Sequence, residues 1–337
     1  MFLCKQGNIF ESDADCIFNT VNCEGYMGKG IAYQFKLRYP NNNNEYEQVC
    51  KSGKLRPGIL LPFKEKGKII INFPTKDKWR DPSKMSYITD GLDAFVRMLP
   101  ALGIKKAAIP PLGCGNGGLN WAEVKNEIEQ RLSNCGIEIE IYEPVAKNVN
   151  EMSVYDLLLL HVREKLEKPT QLRFQKAVYF TNYYYKGKIF NFSRERKGLY
   201  STNLYKAAEK IRHYQIENGF TNARDTYNNI YRVICSKKVD EQYKKLSSAS
   251  DKALLLVNSI EDDRVLEGVA AVFYLISDEK IAKKESLVTA FQEWSNDKAA
   301  PFDEAIISEC LAQLESRQII QRNLFDEYSV PERNFVT

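Results

Sequence analysis

Histidine is almost missing from this chain. Its 337 residues contain two, His161 and His213, both in the second half. The first 150 residues can therefore support neither His-based acid–base chemistry nor a His-ligated metal. The eight cysteines (positions 4, 16, 23, 50, 114, 135, 235 and 310) form no CxxC pair and no close cluster. That spacing suits a reducing, cytoplasmic setting and speaks against a disulfide framework or a zinc site. No apolar run approaches the ~20 residues that cross a bilayer. The opening MFLCKQGNIFESDADC has no basic stretch followed by an apolar one, so neither a secretory signal nor membrane attachment is expected. Neither sign of charge dominates, with 48 basic residues against 44 acidic and a formal net charge of +4. With 44% hydrophobic residues the composition is that of a globular protein, and the length suggests two domains.

What is present divides near residue 150. Before it, strand-like runs (1–5, 15–21, 58–63, 68–73, 105–110, 137–142) alternate with amphipathic helical stretches at 86–100 and 121–134. The first helix puts Ile88, Leu92, Phe95, Val96 and Leu99 on one face. The second carries Val124, Ile128 and Leu132 behind an Asn120–Glu123 capping box. Interleaved strands and helices predict an α/β unit, a mostly parallel or mixed sheet between helical layers. Beyond 151 the pattern turns helical, opening on a Ser153–Asp156 capping signature, with further helices expected at 170–185, 201–216, 224–235, 240–260, 263–276, 285–296 and 303–317. The last pair and the strand-like IIQRNLF outline a helix-turn-helix with a wing. The expected domains are 1–147 and 152–337, joined by PVAKNVNEM at 144–152, and Asn41–Asn44 reads as a polar turn between helices. Within residues 51–84 ten basic residues face three acidic ones. This local excess is the one charge feature pointing towards a polyanion.

Three glycine-bearing segments follow strand candidates: GNIF at 7–10, NTVNCEGYMGKGIAYQF at 19–35 and PPLGCGNGGLNW at 110–121. Glycine lets backbone N–H groups crowd a phosphate, and a following helix N-terminus adds partial positive charge. Neither of the two longer loops is a Walker A motif or a clean GxGxxG fingerprint. Two loops in the same strand–loop–helix context nevertheless point to a cradle for a nucleotide diphosphate.

In order and spacing, GNIF, NTVNCEGYMGKGIA, INFPTKDKWR and PPLGCGNGGLNW resemble the macrodomain of the DarG antitoxins, in the branch that includes the terminal ADP-ribose protein glycohydrolase. The likeness covers residues 1–145. FQKAVYFTNYY and RKGLYSTNLYKAAEKIRHYQIENG resemble the DarG C-terminal domain that binds the partner toxin, DarT. The resemblance implies an antitoxin that removes ADP-ribose from thymidine bases in single-stranded DNA, and silences a DarT-type ADP-ribosyltransferase, with no cofactor and no metal. It implies a monomer or a one-to-one toxin complex as the assembled form.

Carried over residue by residue, it puts Asn8 and Ile9 beside adenine, with Asn8 standing where most macrodomains have aspartate. Thr20 joins the site, and Met27, Gly28, Lys29, Gly30 and Ile31 make the first phosphate loop. Gly113, Cys114, Gly115, Asn116, Gly117 and Gly118 make the second, and Tyr142 and Pro144 form the wall beside adenine. Asn22 falls on the distal ribose and Lys76, in the PTK motif, near the anomeric carbon. There Lys76 would attack that carbon or steady the departing base, its pKa lowered by desolvation and by cations such as Lys29 or Arg80. Mammalian relatives pair this lysine with an aspartate where this chain has Gly117. A thymine imide, its charge spread over two carbonyls, needs little general acid, so the missing carboxylate is tolerable. Trp79 and Arg80 are placed to contact flanking DNA. Trp121 is expected at the loop base and Trp294 in the C-terminal core.

Two other classes compete. One is an ADP-ribose reader without turnover, fused to a protein- or DNA-binding regulatory domain. The other is a DNA-binding regulator built on the C-terminal helix-turn-helix. The near-neutral second half, 28 basic against 27 acidic residues, suits a protein surface better than nucleic acid.

Overall fold

The computed structural model of the protein describes residues 1–144, 151–195, 198–295 and 303–331. The chain forms two compact units, Met1–Glu151 with Asn229–Asp240, and Met152–Asn228 with Glu241–Thr337. The expected linker falls mainly on 145–150, outside the described residues.

In the first unit the elements run β1 (Phe2–Lys5), β2 (Cys16–Val21), α1 (Gly30–Arg38), α2 (Pro40–Lys51), β3 (Leu61–Glu65) and β4 (Lys68–Pro74). They continue as α3 (Met85–Leu102), β5 (Lys106–Ile109), α4 (Trp121–Leu132) and β6 (Glu138–Tyr142). The strands form one six-stranded sheet in the order β1-β6-β5-β2-β4-β3. All neighbours are parallel except the edge pair β3–β4. Alternation along β2 shows why both faces are covered. Cys16 and Phe18 enter one core with Ile71, Phe73 and the apolar stripes of α3 and α4. Ile17 and Val21 enter the other, with Ile70, Phe35 of α1 and Tyr46 of α2. This is the mixed sheet between helical layers that the periodicity predicts.

Two local expectations change. The third strand begins at Leu61, not at residue 58. Gly58 lies at φ +83° and the Ile59 N–H donates to the Arg56 carbonyl, so 56–59 is a turn. The asparagine run is no turn either, because Asn41–Asn44 lies within α2. Pro40 occupies the first helical position, where its missing N–H costs nothing. The Asn42 amide pairs reciprocally with Asn72 of β4 (2.7 and 3.2 Å), and its backbone N–H donates to the buried Glu65 carboxylate at 2.9 Å. Tertiary hydrogen bonds thus override the loop preference of asparagine.

The second unit is mainly helical. Its elements are α5 (Val154–Lys165), α6 (Gln171–Tyr185), the short strands β7 (Ser193–Glu195) and β8 (Gly198–Tyr200), then α7 (Thr202–Asn218). They are followed by α8 (Ala223–Ile234) and α9 (Lys237–Ser259), whose stretch Asn229–Asp240 belongs to the first unit, then α10 (Asp263–Ser277), α11 (Lys284–Ser295), α12 (Glu304–Ser316), β9 (Gln321–Arg322) and β10 (Tyr328–Ser329). The hairpin β9–β10 after α12 supplies the expected wing. α10 is apolar almost all round, with Leu266, Val269, Val272, Phe273 and Ile276 buried. Arg173 of α6 is also buried. Its guanidinium donates to the Val257, Ile260 and Glu261 carbonyls at the end of α9 and to Asp263 at 2.6 Å. Both ring nitrogens of His161 are engaged, with Asp251 at 2.9 Å and the Tyr243 hydroxyl at 3.1 Å. Trp294 is buried and donates to the Glu195 carbonyl at 2.8 Å. Among the described residues no helix is long and apolar enough to cross a membrane.

Candidate active site

Parallel strands direct their C-terminal ends to one sheet edge, and the glycine loops after β2 and β5 meet there. They border a cleft of about 1230 Å³. Asn8, Ile9, Thr20, Asn22, Gly28, Lys29, Gly30 and Ile31 line it, together with Gly113 to Gly117, Tyr142 and Pro144. Lys76, Trp79 and Arg80 stand at one end. Two expected residues lie elsewhere. Met27 is buried beneath its loop, where its sulfur accepts from the Asn19 amide, and Gly118 turns away with its N–H on the Gly115 carbonyl. Sidedness within a glycine loop leaves no trace in sequence.

The segment after β4 is tied to the first loop. Thr75 N–H donates to the Val21 carbonyl, Cys23 N–H to the Asp77 carbonyl, and Trp79 N–H to the Glu24 carboxylate at 2.8 Å. These bonds carry the half-buried Lys76 across the cleft, where its ammonium donates to the Asn116 carbonyl of the second loop at 2.8 Å and to the Trp79 carbonyl at 3.4 Å. Burial lowers the Lys76 pKa below the ordinary lysine value, with Asp81 opposing. Desolvation is therefore the cause, rather than neighbouring Lys29 or Arg80. Cys114, also in the cleft, is no nucleophile, because burial pushes its thiol up to about 12.

Asn22 lines the cleft with its carboxamide already engaged. Its Nδ2 donates to the Tyr26 carbonyl at 2.7 Å, and its Oδ1 accepts from Glu24 N–H at 2.9 Å and from the Tyr46 hydroxyl at 3.2 Å. In this arrangement it shapes the first loop. Asn8 is similarly occupied. Its oxygen caps the short 3-10 turn Ile9–Glu11 through Phe10 N–H, and its amide donates to Glu11 at 2.9 Å. Gly30 opens α1 at φ +63°, and its N–H donates to the Cys235 carbonyl at 3.1 Å.

Two residues before Tyr142, β6 carries the buried Glu140. Burial alone would raise its pKa, but hydrogen bonds from Lys106, Lys5 and Ser12 outweigh that and hold the carboxyl below its usual range. The paired charge anchors β6 to β1 and β5 directly before Tyr142. At the opposite end, Tyr26 meets Trp79 edge-on with centroids 6.5 Å apart, and the Arg80 guanidinium covers the Trp79 ring at 4.6 Å. This exposed aromatic–cationic group adjoins Lys76. Trp121 packs partly buried against the core under the second loop. Sequence reasoning did not find the lining residues Phe10, Ala32, Gln34, Arg232 and Val233. Phe10 and Ala32 lay inside quoted motifs, whereas the last two come from a distant helix and carried no local signal.

A parallel-sheet edge with two glycine loops facing one cleft is the setting of a nucleotide-binding α/β domain, and residues 18–128 match the family model described as Macro domain. Over the wider chain, a DNA ADP-ribosyl glycohydrolase of Thermus aquaticus is 31% identical, spanning 87% of this chain and 88% of that protein. The chain therefore belongs to the DNA ADP-ribosyl glycohydrolase family. A Thermosipho africanus protein described as a DNA ADP-ribosyl transferase–DNA ADP-ribosyl glycohydrolase fusion is 29% identical, over 46% of this chain and 45% of its own length. Among solved structures, the chain is similar to the macrodomain of Thermus aquaticus DarG, 40% identical, covering 43% of this chain and 99% of that one, with a TM-score of 0.41.

Proposed function

We propose that this chain is a cytoplasmic antitoxin that removes ADP-ribose from thymidine bases in single-stranded DNA. The observation that carries the reading is Lys76, a half-buried amine of lowered pKa held across the cleft mouth against the second loop. Among the residues lining the cleft the one carboxylate is Glu143, beside Tyr142 and Pro144 at the adenine-side wall. Asp81, which acts on Lys76, and Glu24, bonded to the Trp79 N–H, are not among the lining residues, and Lys76 is the lining group placed to attack. In its neutral form Nζ bonds to the anomeric carbon while the bond from that carbon to the thymine nitrogen breaks. The electron pair leaves with the imide, which then takes the proton shed by the amine. Water hydrolyses the ribosyl-amine, returning Lys76 and free ADP-ribose. A reader without turnover would have no use for a desolvated lysine at this point of the cleft.

Trp79, with Tyr26 and Arg80 beside it, offers a stacking surface for the DNA next to the modified base. Trp79→Ala is expected to slow release from an ADP-ribosylated oligonucleotide by about 5- to 150-fold, the range of one lost stacking contact. The affinity for free ADP-ribose, measured calorimetrically, should stay within about twofold. An equal loss in both measurements would place Trp79 in the ADP-ribose site instead.

Residues 152–337 are assigned to binding and neutralising a DarT-type ADP-ribosyltransferase, in a one-to-one complex. The family membership supports this, as does the relative in which transferase and glycohydrolase share one chain. Coexpression tests it. The full-length Lys76→Ala variant should co-purify with the toxin and still blunt its toxicity, by capture without repair. Complete loss of protection together with failure to co-purify would refute the assignment.

A further inference from the structure

We propose that Arg232 is a binding residue for the adenosine half of the ligand, delivered to the cleft from far outside the glycine loops. The proposal rests on reading the cleft as an ADP-ribose site. Residues Asn229–Asp240 belong to the first unit although they follow Gly7 by more than two hundred positions. Their place is fixed by several hydrogen bonds. The Tyr33 and Tyr231 hydroxyls both donate to the Asp240 carboxylate, at 2.7 and 2.9 Å. Gln34 donates to the Arg232 carbonyl at 3.2 Å, and the Cys235 carbonyl accepts from Gly30 N–H at 3.1 Å. The Arg232 guanidinium, so positioned, donates to the Gly7 carbonyl, and Arg232 and Val233 line the cleft together with Asn8, Ile9 and Phe10.

The chemistry at this end explains what an arginine adds. Asn8 stands where a carboxylate would assist adenine, and its amide is committed to Phe10 and Glu11. A guanidinium brings a planar cation that can lie on a purine face and a fork of N–H donors for adenine or ribose acceptors. The Gly7 contact holds that plane in one orientation, which reduces the entropy lost on binding. The segment also takes up the Gly30 N–H, a further tie between residues 229–240 and the first loop.

The test uses the full-length chain and three ligands: ADP-ribose, AMP and ribose 5-phosphate, which stands for the distal half alone. Arg232→Ala should weaken ADP-ribose and AMP about tenfold and leave ribose 5-phosphate within about twofold. Arg232→Lys keeps the charge without the planar fork and should recover only part of the loss. Val233→Trp, which fills the same stretch of cleft, should exclude AMP and ADP-ribose but not ribose 5-phosphate, and it keeps the test open if Arg232→Ala folds poorly. Unchanged ADP-ribose affinity in Arg232→Ala would overturn the proposal. Equal losses for all three ligands would do the same, by making Arg232 only a prop for Gly7. Failure of the wild-type chain to bind ADP-ribose would count against the reading of the cleft itself.

Discussion

Lys76→Ala should abolish release of ADP-ribose from modified DNA, by a factor of about 10³ or more, while free ADP-ribose still binds. The size of the effect follows from the cleft's composition. Apart from Lys29 on the first loop, the other lining groups are amides, hydroxyls, the Trp79 indole, the Arg80 guanidinium and the Cys114 thiol, raised to about 12 and so protonated at neutral pH. None replaces an amine that can be deprotonated. Lys76→Arg should be nearly as inactive, because a guanidinium keeps the cation but not the nucleophile. The pH profile of the wild type adds a second check. Burial depresses the Lys76 pKa, so the neutral fraction grows as pH rises and is substantial before the ordinary lysine value of about 10.4 is reached. Turnover should therefore climb with pH, its midpoint falling below that value. A rate that falls along the same limb would assign the ammonium, as leaving-group stabiliser, to the active form.

Gly117→Ala should cripple the site from the other loop. A Cβ at this position would lie 2.1 Å from Ser83 Oγ and 2.3 Å from the Gly113 carbonyl oxygen. The Ser83 hydroxyl can rotate, but the Ser83 Cβ stays 2.9 Å away and the two backbones are tied. Ser83 N–H is bonded to the Gly117 carbonyl at 3.0 Å, and the Gly113 carbonyl accepts from Leu119 N–H at 3.1 Å. The loop must shift, and the shift moves Asn116, whose carbonyl holds Lys76. A stability loss of about 1–3 kcal/mol is expected from the overpacking, with ADP-ribose affinity lowered at least about tenfold. Gly115→Ala serves as the folding control, since its Cβ would meet nothing within 4 Å. Gly117→Asp should be worse than Gly117→Ala, despite placing a carboxylate where mammalian relatives carry one. If calorimetry and thermal unfolding show Gly117→Ala unchanged, the loop is not packed as described. The missing aspartate thus has a steric origin, since in this backbone no side chain fits at 117.

The framework was open to sequence reasoning because it rests on short-range patterns. Alternation in β2 and β4, the i, i+3/i+4 stripes of α3 and α4, and the strand–glycine–helix order were all written locally. The rest depended on contacts between distant positions. Asn42 reads as a turn residue until Asn72 and Glu65 are seen to satisfy it inside a helix. The strands β7 and β8 are three residues each, and the exposed Ser193–Glu195 has no apolar alternation to betray it. At the site, Lys76 could be placed from the strand end it follows and desolvation expected to lower its pKa, but Lys29 and Arg80, expected to help, are not among the causes. Asn22 and Asn8 were located, yet the loop bonds that occupy their amides depend on backbone conformation. Arg232 was invisible for the plainest reason, a separation of 225 residues from Gly7.

The account turns on this chain's own cleft breaking the bond between ADP-ribose and a DNA base. Mass spectrometry of a single-stranded oligonucleotide carrying ADP-ribose on one thymidine, incubated with the full-length wild-type chain, measures that directly. Unmodified strand and free ADP-ribose, at a rate that Lys76→Ala removes, is the predicted result. A strand that stays ADP-ribosylated while the protein binds it would contradict the account.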